Sequence, residues 1–114
     1  MSVTIWHNPR CSKSRQTLAI LEEKGAAPKV ELYLDTAPSV AEIENALDLL
    51  GIEPRALMRT GEADYKEQGL AGISDRAALI NAMHNTPKLI ERPVVFSGGK
   101  ARIGRPPESV LEIL

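Results

Sequence analysis

The chain has 114 residues, of which 43% are hydrophobic and 25% charged, and its formal net charge at pH 7 is −1. The size fits one domain over residues 1–114, and the near-zero charge gives no basic surface for nucleic acid or an anionic membrane. No apolar stretch approaches the roughly 20 residues that span a bilayer, and the first residues lack a signal-peptide pattern. We therefore expect a cytoplasmic protein.

The first elements in the chain predict a parallel β-α-β unit. Residues 3–6 are typical of a strand, and residues 12–24 show helical spacing that stops near Gly25. Val30 to Leu34 alternate well enough for a second strand. A helix between two short strands favours a right-handed crossover between parallel neighbours.

A helical insertion is expected over residues 37–88. Ser39 is a candidate N-cap, Glu42 completes a capping box, and the helix that follows ends at Gly51. Shorter elements are predicted at 54–59, near 64–68, and from Ser74 or Asp75 to about Met83.

The last part of the chain predicts a hairpin and a helix. Residues 93–96 form a strand, 97–100 a turn and 101–103 a returning strand, and a final helix starts near Pro106. The element order is then β-α-β, helical insertion, β-β-α. This order predicts an α/β protein with a thioredoxin-like fold and a small mixed four-stranded sheet.

Cys11 is the single cysteine of the chain and carries the strongest functional signal. It follows a strand and a turn, at the start of a helix, among the cations Arg10, Lys13 and Arg15. A helix N-terminus and nearby cations both lower a thiol pKa, so a reactive thiolate is expected rather than a buried, inert cysteine. With no CxxC and no Cys/His cluster, neither a metal nor an internal disulfide is expected, and a second thiol must come from another molecule.

Arginine and histidine supply the candidate partners of this thiol. Arg92 precedes Pro93, and Arg105 precedes Pro106. The planar guanidinium suits a tetrahedral oxyanion, because it donates two hydrogen bonds at once. His7 lies four residues before Cys11 and is either an imidazolium partner of the thiolate or an ordinary loop histidine.

Four separated motifs resemble the ArsC family of glutaredoxin-linked arsenate reductases, and in particular its short, chromosomally encoded arsenate-reductase-like members. They are His7-Asn8-Pro9-Arg10-Cys11-Ser12-Lys13-Ser14-Arg15, Arg55-Ala56-Leu57-Met58-Arg59, Glu91-Arg92-Pro93-Val94-Val95 and Gly104-Arg105-Pro106-Pro107-Glu108.

The resemblance implies roles for individual residues. Cys11 matches the family's nucleophile, and Arg59, Arg92 and Arg105 match the three arginines that hold the oxyanion. His7 and Ser14 match positions thought to tune the thiolate in relatives. The resemblance also implies a cis peptide bond between Arg92 and Pro93.

The implied reaction needs no bound cofactor. Cys11 attacks arsenate, glutathione acts as co-substrate in its reduction to arsenite, and glutaredoxin clears the mixed disulfide. We expect a monomer, because no long apolar surface demands a second copy.

Two alternatives to arsenate reduction stay open. One is another glutathione-linked thiol oxidoreductase activity on a different substrate. The other is a non-enzymatic, transcription-regulator-like binding module, whose relatives usually carry a CxxC redox switch. Ser14 stands where the second cysteine of that switch would be, so an internal switch is impossible here.

Overall fold

The computed structural model describes residues 2–114, which form four strands, four α-helices and four 3₁₀ helices. The strands are β1 (Val3–Trp6), β2 (Lys29–Glu31), β3 (Val94–Ser97) and β4 (Lys100–Ile103). The α-helices are α1 (Ser12–Glu23), α2 (Val40–Leu50), α3 (Ala63–Glu67) and α4 (Arg76–Asn85). The 3₁₀ helices are Pro54–Leu57, Leu70–Gly72, Pro87–Leu89 and Pro107–Ile113.

The chain divides into two compact units. One, the sheet unit, contains the residues up to Thr36 together with Arg92–Leu114. The other, the helical unit, is Ala37–Glu91 and coincides closely with the insertion expected over 37–88. The count of one domain for the whole chain stays a prediction.

The sheet unit has the strand order β2-β1-β3-β4. β1 runs parallel to β2, with Ile5 opposite Val30, and antiparallel to β3, with Ile5 opposite Val95. β3 and β4 form an antiparallel hairpin. This mixed four-stranded sheet with its β-α-β start is a thioredoxin-like fold, and the predicted fold class is confirmed.

One cluster of the sheet unit's core is aliphatic. Its buried members come from β1, α1, β3 and the last 3₁₀ helix: Val3, Ile5, Leu21, Val95, Val110 and Ile113. Burying one such side chain fully contributes about 1.5–3 kcal/mol. This packing fixes α1 against β1, and therefore fixes the loop that joins them.

Two predicted elements differ from the structure. β2 is shorter than the predicted run from Val30 to Leu34, because the Asp35 and Thr36 amides both donate to the Leu32 carbonyl and turn the chain. The final helix is a 3₁₀ helix, in which the Ser109 amide donates to the Pro106 carbonyl three residues back.

The helical unit begins with the predicted capping box. The Ser39 hydroxyl accepts from the Glu42 amide at 3.1 Å, and the Glu42 carboxylate accepts from the Ser39 amide at 2.9 Å. Gly51 ends α2 in a left-handed conformation, with φ 67°. Asp75, one of two predicted caps, accepts from the Ala78 amide at 3.3 Å at the start of α4, which packs against α2.

Within residues 2–114, none of the helices combines the length and the apolar character that crossing a membrane requires.

Candidate active site

Cys11 is the N-cap residue of α1 and is half-buried. Its backbone has the extended conformation typical of an N-cap, with φ −96° and ψ 123°. The backbone amides of Ser14 and Lys13 favour the thiolate form of its sulfur, and the thiol makes no side-chain hydrogen bond that caps α1. The start of α1 therefore lacks the capping oxygen that many other helices have.

The loop before Cys11 is held by buried hydrogen bonds. The Ser14 hydroxyl, which is fully buried, accepts from the Asn8 amide at 3.0 Å and lies 2.7 Å from Nδ1 of His7. The Cys11 amide donates to the Asn8 carbonyl at 3.0 Å. These bonds fix the direction of the loop, so the thiol is placed by local contacts within residues 7–14.

The guanidinium of Arg105, which is 94 positions after Cys11 in the sequence, lies beside the thiol. Its Nη2 lies 3.7 Å from the Cys11 sulfur, and its Nε donates to the Arg92 carbonyl at 2.8 Å. The Arg92–Pro93 bond is cis, as the resemblance implied, and so is Arg105–Pro106, which sequence reasoning missed. The structure thus brings Arg92, Arg105 and Cys11 together.

The pKa of the Cys11 thiol is lowered by this environment. Burial alone raises the pKa, but the Ser14 amide, the charge of Arg92, the Lys13 amide and the charge of Arg105 lower it and outweigh burial. The result is a larger thiolate fraction at neutral pH than a free cysteine has.

His7 is buried and makes a hydrogen bond with Ser14. Burial and the charge of Arg15 lower its pKa, against a weaker opposing effect of Glu22, and thus disfavour the imidazolium form. The ring's hydrogen bond goes to Ser14, and both alternatives for the role of His7 stay predictions. A role of His7 and Ser14 in tuning the thiolate stays a prediction.

Arg59 lies in the helical unit, just after the 3₁₀ helix Pro54–Leu57. Its amide donates to the Leu89 carbonyl at 2.7 Å. Its guanidinium contacts the Glu62 carboxylate at 3.3 Å and the Lys88 carbonyl at 3.4 Å. Its assignment to the oxyanion site stays a prediction.

Sequence reasoning missed the acidic neighbour of Arg59. Glu62 also lies 3.9 Å from the Lys88 ammonium, which in turn contacts Asp64 at 3.3 Å. The sequence signal for this ion pair was the spacing of three residues between Arg59 and Glu62.

Arg55, at the start of the same motif, has a structural position. Its guanidinium donates to the Leu70 carbonyl at 3.0 Å, to the Ile73 carbonyl and to the Tyr65 hydroxyl. It also lies 5.9 Å from the centre of the Tyr65 ring. The Arg55 side chain therefore connects three positions of the helical unit. These contacts explain why a cation stands at position 55, and no bound ligand is needed to explain it.

The arrangement in the sheet unit can perform nucleophilic chemistry on an anion. A thiolate lies beside guanidinium groups and the amides of a helix N-terminus, and both kinds of donor attract oxyanions. Among the residues that the structure describes, no group of three or more His, Cys, Asp or Glu could hold a metal ion.

Comparisons with known proteins identify relatives over nearly the whole chain. The model of the ArsC family matches residues 6–113. YfgD of Escherichia coli K12, whose name assigns no activity, is 55% identical over 98% of this chain and 96% of its own. An arsenate reductase of Haemophilus influenzae is 52% identical, with 100% of each chain covered. The solved structure of an arsenate reductase from Vibrio cholerae is 56% identical, has a TM-score of 0.97, and is matched over 100% of this chain and 98% of its own.

Proposed function

This chain belongs to the ArsC family, and we propose that it reduces arsenate to arsenite with Cys11 as the nucleophile. The observation that carries the proposal is the 3.7 Å contact between the Arg105 guanidinium and the Cys11 sulfur. It joins a nucleophile with a lowered pKa to a donor suited to a tetrahedral oxyanion. The names of full-length relatives supply the substrate.

In the first step the Cys11 thiolate attacks the arsenic atom of arsenate. An S–As bond forms, and one arsenate oxygen leaves as water after protonation. Arg92 and Arg105 balance the negative charge of the oxyanion while this bond forms. We assign Arg59 to the same task.

In the second step a glutathione thiolate attacks the Cys11 sulfur. An S–S bond forms, and the electron pair of the S–As bond stays on arsenic, which passes from As(V) to As(III) and leaves as arsenite. A glutaredoxin thiol then takes over the glutathione and releases the Cys11 thiol. Because Cys11 is the single cysteine, both reducing thiols come from other molecules.

We further propose that the protein is a cytoplasmic monomer, with glutathione as co-substrate and glutaredoxin as partner. The reducing thiols that the mechanism consumes are those of a reducing compartment.

The test is consumption of NADPH by the purified protein with arsenate, glutathione, glutaredoxin and glutathione reductase. We expect turnover that needs arsenate, glutaredoxin and Cys11, and therefore none with Cys11→Ser. Arg102→Ala is a matched control, because Arg102 lies on β4 and pairs with Glu112 at 3.8 Å. Absence of turnover in the unmodified protein, with a thiol that is still alkylated rapidly at neutral pH, would overturn the assignment of arsenate.

That same result would favour the second candidate, a glutathione-linked thiol reaction on a different substrate. The specific observation for it is that the thiolate and the arginines fit any tetrahedral oxyanion, since none of the donors distinguishes arsenic from another centre. Replacing arsenate by other oxyanions in the same assay separates the two.

A further inference from the structure

Gly104 lies immediately before Arg105 and is buried between α1 and the start of β3. A Cβ atom at this position would lie 2.5 Å from Oγ1 of Thr17 and 2.8 Å from Cγ of Pro93. Nonbonded carbon atoms pack at about 3.5–4.0 Å, so both distances are severe overlaps. The backbone at Gly104 therefore approaches α1 more closely than any residue with a side chain allows.

The two neighbours of Gly104 cannot easily move aside. Thr17 is fully buried within α1, and its hydroxyl donates to the Lys13 carbonyl at 2.8 Å. Pro93 is a buried ring directly before β3, and its carbonyl accepts from the Gly104 amide at 2.9 Å. A larger residue at 104 must therefore displace its own segment.

That segment carries Arg105. The guanidinium reaches the Cys11 sulfur at 3.7 Å and the Arg92 carbonyl at 2.8 Å. N–H···O hydrogen bonds span about 2.7–3.2 Å, so a backbone shift of ~1 Å breaks the contact with Arg92. The close approach at Gly104 and the placement of the guanidinium are thus coupled through one peptide unit.

We propose that Gly104 is a positioning residue, whose packing against Thr17 and Pro93 sets the place from which Arg105 reaches the Cys11 sulfur. The functional meaning of this placement rests on the function proposed above, in which Arg105 binds the oxyanion. The packing itself concerns the thiol and can be tested without arsenate. The requirement at Gly104 is lack of space, in contrast to Gly51 and Gly99, whose positive φ angles are the constraint.

The first experiment measures the Cys11 pKa from the pH dependence of thiol alkylation in the full chain. We expect Gly104→Ala to raise the pKa and to slow alkylation at neutral pH by about three- to tenfold, because Arg105 no longer stabilises the thiolate. Gly72→Ala is the matched control, since a Cβ at Gly72 meets nothing within 4 Å. An unchanged Cys11 pKa in folded Gly104→Ala protein overturns the proposal.

A double-mutant cycle with Arg105→Ala separates positioning from general loosening. If Gly104 acts through Arg105, Arg105→Ala raises the Cys11 pKa in the unmodified chain and changes it little in the Gly104→Ala chain. Equal effects of Arg105→Ala in the two backgrounds overturn the proposal. Circular dichroism confirms that each variant is folded.

A rescue variant covers the case in which Gly104→Ala impairs folding. Adding Thr17→Ala removes Oγ1 and also Cγ2, which lies 3.1 Å from the added Cβ, although Pro93 Cγ remains. We expect the double variant Gly104→Ala/Thr17→Ala to fold better than Gly104→Ala alone and to have a Cys11 pKa nearer to that of the unmodified chain. Thr17→Ala alone serves as the reference. A double variant as impaired as Gly104→Ala overturns the role assigned to Thr17 and leaves Pro93 as the sole obstacle. Failure of arsenate turnover would refute the proposed function and leave these readouts unaffected.

Discussion

The helices α1 and α2 begin with opposite chemistry. α2 is capped by side chains at its own start, because the Ser39 and Glu42 side chains accept hydrogen bonds from each other's backbone amides. α1 has Cys11 as its N-cap residue, and its first turn, residues 12–15, contains two cations and no acid. The amides at its start have no capping oxygen, and those of Ser14 and Lys13 favour the Cys11 thiolate instead.

The start of α1 is less stable than the start of α2, and the features that lower its stability raise the reactivity of Cys11. A good N-cap contributes about 1 kcal/mol, and cations near the positive end of a helix dipole oppose it by roughly 0.3–1 kcal/mol each. Arg15 partly offsets this by donating to the Pro9 carbonyl at 3.0 Å. The same features that weaken the start of α1 stabilise a thiolate or a bound oxyanion there.

Arg105→Ala is expected to have the strongest effect on the reactive start of α1. Removing the guanidinium beside Cys11 should lower kcat/KM for arsenate by roughly 30–1000-fold, equivalent to about 2–4 kcal/mol of transition-state binding. Steady-state kinetics of the coupled reaction measure this, with Arg102→Ala as control. Equal kinetics in the two variants would show that Arg105 takes no part in the reaction.

Ser14→Ala should destabilise the start of α1. The variant leaves Nδ1 of the buried His7 without its hydrogen-bond partner, at a cost of about 1–3 kcal/mol in the free energy of unfolding. Urea titration measures the change. Ser12→Ala is the matched control on the same turn, because Ser12 is exposed, and similar losses in both variants would contradict the assigned contact.

Ser39→Ala should affect stability alone. Loss of the cap of α2 is expected to lower the free energy of unfolding by about 1 kcal/mol, with Cys11 alkylation unchanged. Urea titration and alkylation at neutral pH measure the two quantities. A changed alkylation rate would mean that the two helix starts are not independent.

Cys11→Ser should change the free energy of unfolding only slightly, and in a way that depends on pH. Serine at this N-cap can accept from the free amides, so at pH below the Cys11 pKa the variant should be more stable than the unmodified chain by about 0.5–1 kcal/mol. The thiol pKa is lowered on folding, so its contribution is absent below the folded pKa and complete above the unfolded value of ~8.5.

The advantage of Cys11→Ser should therefore shrink as the pH rises through this window. Urea titrations of both proteins across the pH range measure it. An advantage that stays constant with pH would show that the pKa of Cys11 is not lowered on folding.

Local signals explain what the sequence predicts well. The capping box of α2, the Asp75 cap and the position of Cys11 at the start of α1 depend on residues within a few positions of each other. The hydrophobic pattern also indicates the order of strands and helices, and therefore the fold class.

Contacts between distant residues explain what the sequence could not predict. The end of β2 is set by a turn, and the burial that lowers the pKa of His7 depends on the packed loop. The lack of space at Gly104 becomes visible only when Thr17 and Pro93 are placed around it. The motifs identified Arg105 by resemblance, but its contact with Cys11 spans 94 positions of the chain.

This separation along the chain has a consequence during protein synthesis. A ribosome adds about 5–20 residues per second, so Arg105 is made roughly 5–20 s after Cys11, which precedes it by 94 positions. β3, the neighbour of β1 in the sheet, is also made late. In the growing chain the cysteine is therefore a more ordinary thiol, and it acquires its full acidity and reactivity towards oxidants only when nearly the whole chain has been made.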